Sequence, residues 1–270
     1  VPYVRINDKN IYYREYGNGE PIVFLNGVMM TTSSWSHLIK DVSKYYRMIL
    51  VDLLDQGKSD SCEEGYTVET QAEFLNGLLE SLGINSAHLL GVSYGGKVAL
   101  TYALKYKDKV KSLILSNTDC YTSNIMKDIG KSWAYAASTL DGEVFSNTVF
   151  PYVYSFSYYE NCYEKLEDKK RIMSKVLNEE WKDRFLRNLQ SALNFDVSHS
   201  IEDIEVPTLI IGAEYDMITL TEYQRFIHRR IKDSQLVIIK GTGHALIFEK
   251  PDEFISVVMQ FLKEKASLNR

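Results

Sequence analysis

Seven short apolar runs punctuate the chain, and most are separated by stretches long enough for a helix. They are IYYREY (11–16), IVFLN (22–26), RMILVD (47–52), AHLLG (87–91), VKSLILSN (110–117), TLIIG (208–212) and QLVIIK (235–240). The later runs are continuously apolar rather than alternating, which suits strands covered on both faces. The intervening stretches are amphipathic. In 67–82, Phe74, Leu75, Leu78, Leu79 and Leu82 form one helical stripe. Residues 95–106 and 251–266 read the same way, the second opened by Pro251, where a missing N–H does no harm. Strand–helix alternation predicts an α/β fold with a doubly wound, mainly parallel sheet. Residues 11–26 are expected to open it as an antiparallel hairpin, turning at 17–19.

The alternation lapses between Cys120 and Ser200. That region has no convincing buried strand and is rich in aromatics, among them Trp133, Phe145, Tyr154 and Trp181. It reads as a helical cap inserted into the core. The expected division is therefore 1–119 for the first part of the core, 120–200 for the cap and 201–270 for the rest. Most of the aromatics are expected to pack the cap. The mixed-sign run EDKKR (167–171) reads as a solvated helix face.

Composition excludes several classes. The 270 residues carry a net charge of −5, with 45% apolar and 25% charged, an ordinary soluble balance without the basic excess of a nucleic-acid binder. No run reaches the roughly 18 apolar residues of a membrane span, and the first ten residues show no leader pattern. Cys62, Cys120 and Cys162 fit neither a disulfide framework nor a zinc site. The expectation is a cytoplasmic protein with no metal and no cofactor, acting on a small molecule, without nucleic-acid or membrane partners, and free to form a homo-oligomer.

The chemistry concentrates in AHLLGVSYGGKVAL (87–100). Gly91-Val92-Ser93-Tyr94-Gly95 is G-x-S-x-G between a strand and a helix. A serine on such a turn projects above the sheet, and its small neighbours let strand and helix approach. A hydroxyl needs a base. Of the five histidines, His244 follows a strand across the turn GTGH and precedes the last helix. The C-terminal ends of strands are where open α/β sheets bind ligands. The base needs a carboxylate to hold its tautomer. Asp216, beyond TLIIGAEYD, is the favoured partner, and Asp119, one strand earlier, is the competitor.

The order Ser93, Asp216, His244 resembles that of the α/β-hydrolase superfamily. The resemblance runs from the opening strands to GTGHALIFEKPDEF (241–254), which is similar to the histidine loop of that family. The nearest likeness is to small bacterial enol-lactonases, esterases and C–C hydrolases with a helical cap. The resemblance implies an oxyanion hole of two backbone N–H groups, those of Tyr94 and Val28. Asn26 stands where a His is usual. In VDLLDQGKSD (51–60), Asp52, Gly57 and Ser59 match a common family pattern, but Leu54 and Asp55 replace Arg-Gly. That departure implies altered packing near the turn rather than lost catalysis. Asn26, Met29, Met30 and Trp133 are expected against the substrate.

The implied activity is a serine hydrolase cleaving a carboxylic ester, lactone or thioester through an acyl-enzyme. Alternatives with the same three residues are a C–C bond hydrolase or an acyltransferase. A different class is a hydrolase-like ligand-binding protein. Fold and triad alone do not fix a substrate.

Overall fold

The computed structural model describes residues 2–268. Its centre is an eight-stranded sheet in the order β1-β2-β4-β3-β5-β6-β7-β8. The strands are β1 (Tyr3–Ile6), β2 (Lys9–Tyr16), β3 (Pro21–Leu25), β4 (Arg47–Asp52), β5 (Ala87–Val92), β6 (Val110–Ser116), β7 (Thr208–Ala213) and β8 (Ser234–Ile239). From β4 through β8 every neighbouring pair is parallel.

Both faces of the central strands are covered, which explains their continuous apolar runs. Val23, Leu25, Ile49, Val51 and Leu89 pack on one face with α2 (Val68–Ser81) and α3 (Tyr94–Lys105). Ile22, Phe24, Met48, Leu50 and Leu90 pack on the other, against α1 (Ile39–Val42) and the last helix, residues 251–268. Successive residues point to opposite faces, so each strand supplies both cores. Thr67 caps α2 by accepting from the Thr70 N–H.

The opening hairpin lies one element earlier than the sequence suggests. β2 pairs antiparallel with β1 and with β4, and β4 separates it from β3. The hairpin turn is Asn7-Asp8, both with positive φ (45° and 64°). Asn and Asp tolerate that conformation, and two such residues twist a hairpin correctly. The glycines at 17 and 19 instead serve a link that leaves β2 and re-enters the sheet beyond β4.

Between β6 and β7 the chain leaves the sheet as five helices: α4 (Asn124–Ser138), α5 (Gly142–Val153), α6 (Phe156–Asn161), α7 (Tyr163–Val176) and α8 (Glu179–Ser191). The ends of this excursion are pinned together: Thr122 N–H donates to Phe195 O and Val197 N–H to Cys120 O, both at 2.8 Å. It has its own apolar centre, in which Phe145 meets Trp181 and Phe185 edge-on, while Trp181 and Phe185 stack. After β7 come α9 (Thr221–Arg230), α10 (Leu246–Glu249) and α11 (Pro251–Leu268).

Helix α8 is tied to the sheet by charge as well as packing. Arg187 donates to both oxygens of buried Asp55, at 2.7 and 2.9 Å. Arg184 donates to the carbonyls of Gly57 and Ser59, at 3.0 and 2.6 Å. The departure at Leu54-Asp55 thus has a physical counterpart: an acid in the β4 loop is answered by an arginine from a distant helix. Removing one partner of a buried ion pair strands the other. Arg187→Met is therefore expected to lower unfolding stability by roughly 2 to 4 kcal/mol. The Arg187→Met/Asp55→Asn double variant should lose less than the two single losses combined. Urea titration of the four proteins decides; strictly additive losses contradict the coupling.

Candidate active site

Ser93 occupies the turn between β5 and α3 with φ 53° and ψ −116°, a strained conformation for a residue with a side chain. Its surroundings fix it. Ser93 N–H donates to Ser116 O at 2.9 Å, and Ser93 O accepts from Thr118 Oγ1 at 2.7 Å and Gly96 N–H at 2.9 Å. The flanking glycines are required by close approach. A Cβ on Gly91 would lie 2.3 Å from Gly95 O, and one on Gly95 would lie 2.2 Å from Leu25 O.

His244 sits between β8 and α10, and its Nδ1 is 2.8 Å from Asp216 Oδ2. With the Nδ1 proton directed at the carboxylate, Nε2 is left as the ring's acceptor. Asp216, beyond β7, is buried and heavily hydrogen-bonded. It accepts from the N–H groups of Ile218 and Thr219 (2.8 and 2.9 Å), from Thr219 Oγ1 (2.7 Å) and from Asn117 Nδ2 (2.8 Å). Burial pushes its carboxyl up, but the His244 ring and the bonds from Thr219 and Ile218 outweigh that and hold it below the usual carboxylate value.

Asp119, the competing acid, is engaged elsewhere. It forms a buried ion pair with Lys97, whose ammonium also donates to Thr122 Oγ1 at 3.2 Å and lies over the Phe195 ring. Burial raises the Asp119 carboxyl against the pull of Lys97.

The loop after β3 runs beside Ser93: a Cβ on Gly27 would lie 3.5 Å from Ser93 Cβ. Val28 and Tyr94 both line the same cavity as Ser93 and His244. Asn26 differs from its expected place against the substrate. It is not among the cavity-lining residues, and its side chain is buried and fully engaged. It donates to Val51 O (2.9 Å) and Asp52 Oδ1 (3.1 Å), and accepts from Trp35 Nε1 (2.7 Å). Asp52 in turn accepts from Thr32 N–H at 2.6 Å and Lys58 N–H at 3.0 Å. Asn26 therefore anchors the loop, the very task in question when it replaces the usual His.

Three supporting residues escaped the sequence reading. Asn117, just past β6, and Thr219, two residues before α9, orient Asp216; neither short polar residue gave a separate signal. Glu249 binds the histidine loop to the helical excursion, accepting from Ser155 N–H (2.9 Å), Ser155 Oγ (2.6 Å) and Gly243 N–H (3.2 Å).

The cavity holds about 950 Å³. Met29, Met30 and Trp133 line it, with Phe150, Tyr154 and Phe248. The run 167–171 is only partly a solvated face: Lys169 turns inward and also lines the cavity. Among the described residues no cluster of His, Cys, Asp and Glu could hold a metal ion, and no helix is long and apolar enough to cross a membrane.

Comparison with known proteins gives the family. The profile of the alpha/beta hydrolase fold family matches residues 20–251, and the chain belongs to that family. Its curated relatives include hydrolases. It is 28% identical to a proline iminopeptidase of Saccharolobus solfataricus, over 99% of this chain and 93% of that one. It is 26% identical to a 2-hydroxy-6-oxo-6-phenylhexa-2,4-dienoate hydrolase of Comamonas testosteroni, over 96% and 93%. Among solved structures, MGS-M2, an alpha/beta hydrolase enzyme from a deep-sea metagenome library of the Medee basin, superposes with a TM-score of 0.94. The two share 35% identity, and 97% of each chain is covered. The enol-lactonase of Burkholderia xenovorans superposes with a TM-score of 0.87 at 23% identity, covering 97% of this chain and all of that one, a likeness of fold.

The environment of Asp216 has a consequence for acid stability. A carboxyl held low in the folded state stabilises above its unfolded pKa of about 4, and that contribution is lost as pH falls through the folded value. Asp216→Asn should therefore show a shallower loss of stability below about pH 4 than the unaltered protein. Asp52, whose carboxyl burial raises, acts in the opposite sense in both proteins and cancels in the difference; Asp119, raised first by burial, cancels except for the small part that the Asp216 charge adds. Denaturant titrations between about pH 2 and 6 test this, and parallel acid limbs contradict it.

Proposed function

We propose that the protein is a serine hydrolase acting on carboxylic esters, lactones or thioesters. The observation that carries the reading is the His244–Asp216 pair at 2.8 Å, opening onto the same cavity as a serine held in a strained turn. In this reading Ser93 Oγ attacks the acyl carbonyl while His244 Nε2 takes its proton. Asp216 holds the ring and stabilises the imidazolium. The N–H groups of Val28 and Tyr94 receive the tetrahedral oxyanion, helped by the N-terminus of α3. His244 then protonates the leaving group, and the acyl-enzyme forms. Water, deprotonated by His244, attacks the acyl carbon and releases the acid and free Ser93. Helices α4–α8 serve as the cap that shapes the acyl site, with Trp133 and the flexible Met29 and Met30 against the substrate.

The similarity to the dienoate hydrolase favours one second reading, in which the same residues hydrolyse a carbon–carbon bond beside a ketone. Parallel assays on p-nitrophenyl esters, lactones, thioesters and a vinylogous diketone separate the two by which substrate turns over fastest.

Because the three residues act as a unit, single losses should be large and not additive. Ser93→Ala and His244→Ala are each expected to cut kcat on the best ester by about 10³-fold or more, with KM little changed. Combining them should cost little further. A Ser93→Ala protein that keeps full turnover contradicts the mechanism.

A further inference from the structure

The ionisable lining of the cavity is one-sided. Lys97, Lys127, Lys131, Lys169 and Arg187 line it, and no Asp or Glu does among the described residues. The chain as a whole carries a net charge of −5, so this bias is local. Three of the five cations are already answered by carboxylates outside the lining: Lys97 by Asp119, Lys131 by Asp128 and Arg187 by Asp55. Lys127 and Lys169 have no ion pair or side-chain hydrogen bond among the described residues.

These two differ in setting. Lys169 projects from α7 on the same side as Ile172 and Met173, which also line the cavity. Its ammonium lies 5.1 Å from the centre of the Phe248 ring, four residues beyond His244. Burial holds its pKa below the usual lysine value, and no acid offsets the shift. Lys127 is also half-buried, but among the described residues no aromatic ring lies under its ammonium. A partly desolvated ammonium facing apolar walls gains from an arriving counter-charge. A single aromatic face compensates it only in part. Glu249, next to Phe248, forms no ion pair with Lys169; its oxygens accept from Ser155 and Gly243 instead.

We propose that the substrate carries a carboxylate remote from its scissile carbonyl, and that Lys169 binds it beside the Phe248 ring. The inference rests on the cavity being the acyl site of the serine hydrolase described above. It narrows the substrate to hemi-esters, carboxylated lactones and similar acyl anions. Lys169 is here a specificity determinant remote from the reacting atoms, and Phe248 sets the height at which the carboxylate sits. Lys127, on α4, adds a positive field without contacting the anion.

The test uses matched substrates that differ only in charge. Mono-p-nitrophenyl esters of straight dicarboxylic acids, from succinate to suberate, are compared with their methyl-capped counterparts. The unaltered protein should prefer one anionic chain length by about 10-fold or more in kcat/KM, a preference that salt weakens. Lys169→Met should reduce the anionic-to-neutral ratio by about 10- to 100-fold, and Lys169→Arg should restore most of it. Calorimetry on the Ser93→Ala protein, with monoethyl against diethyl dicarboxylates, gives a readout that does not need turnover. The anion should bind tighter, and Ser93→Ala/Lys169→Met should erase the difference. Equal ratios in the unaltered and Lys169→Met proteins overturn the proposal, as does a preference that vanishes with Lys127→Met instead. If no ester, lactone or thioester is hydrolysed, the serine-hydrolase reading fails, while the calorimetry still decides whether Lys169 selects the anion.

Discussion

The turn at Ser93 brings backbone segments closer together than any side chain permits, and the rest of the site is arranged around that approach. Gly95 lies against the carbonyl of Leu25 at the end of β3, so the first turn of α3 sits directly on the sheet. The contact also fixes where the loop after β3 can run. Asn26, Trp35 and Asp52 hold that loop in place by buried hydrogen bonds. The strain at Ser93 persists because hydrogen bonds to β6 and from Thr118 over-determine it.

Charge placement follows a consistent logic. Asp55, Asp119 and Asp216 all lie just past the ends of β4, β6 and β7 and are buried, and each meets a different cation-capable partner: Arg187, Lys97 and His244. The first pair couples the helical excursion to the sheet and the second stiffens the ground beneath the cavity. Only the third ends in an imidazole, and that ring lines the cavity together with Ser93. The buried acids are thus alike in position and distinguished by what faces them. Glu249 performs a parallel task for the histidine loop, joining it to α6 through Ser155.

Much of this was legible in the sequence because it depends on local pattern. Continuous apolar runs with helical stripes between them specify a parallel sheet. The glycines around Ser93 mark the tight turn, and the turn residues after TLIIG and QLVIIK place Asp216 and His244 at strand ends. What was not legible depends on contacts between distant segments. The 11–26 run looks like a hairpin because neighbouring strands usually pair, yet β4 enters between its halves. Asn26 is polar and lies beside the site, and only its partners in β4 and at Trp35 show that it faces away. The EDKKR run is charged throughout, and the turn of α7 that sends Lys169 inward is set by packing. Arg187 and Asp55, 132 positions apart, offered no sequence signal for their pairing.

The most direct measurement is labelling with a fluorophosphonate probe, followed by mass mapping of the adduct, on the unaltered protein and on Ser93→Ala and His244→Ala. An activated serine predicts a single adduct on Ser93, absent from the first variant and slowed by about 10³-fold in the second. Labelling that is absent from the unaltered protein, or that survives in Ser93→Ala, would contradict the account.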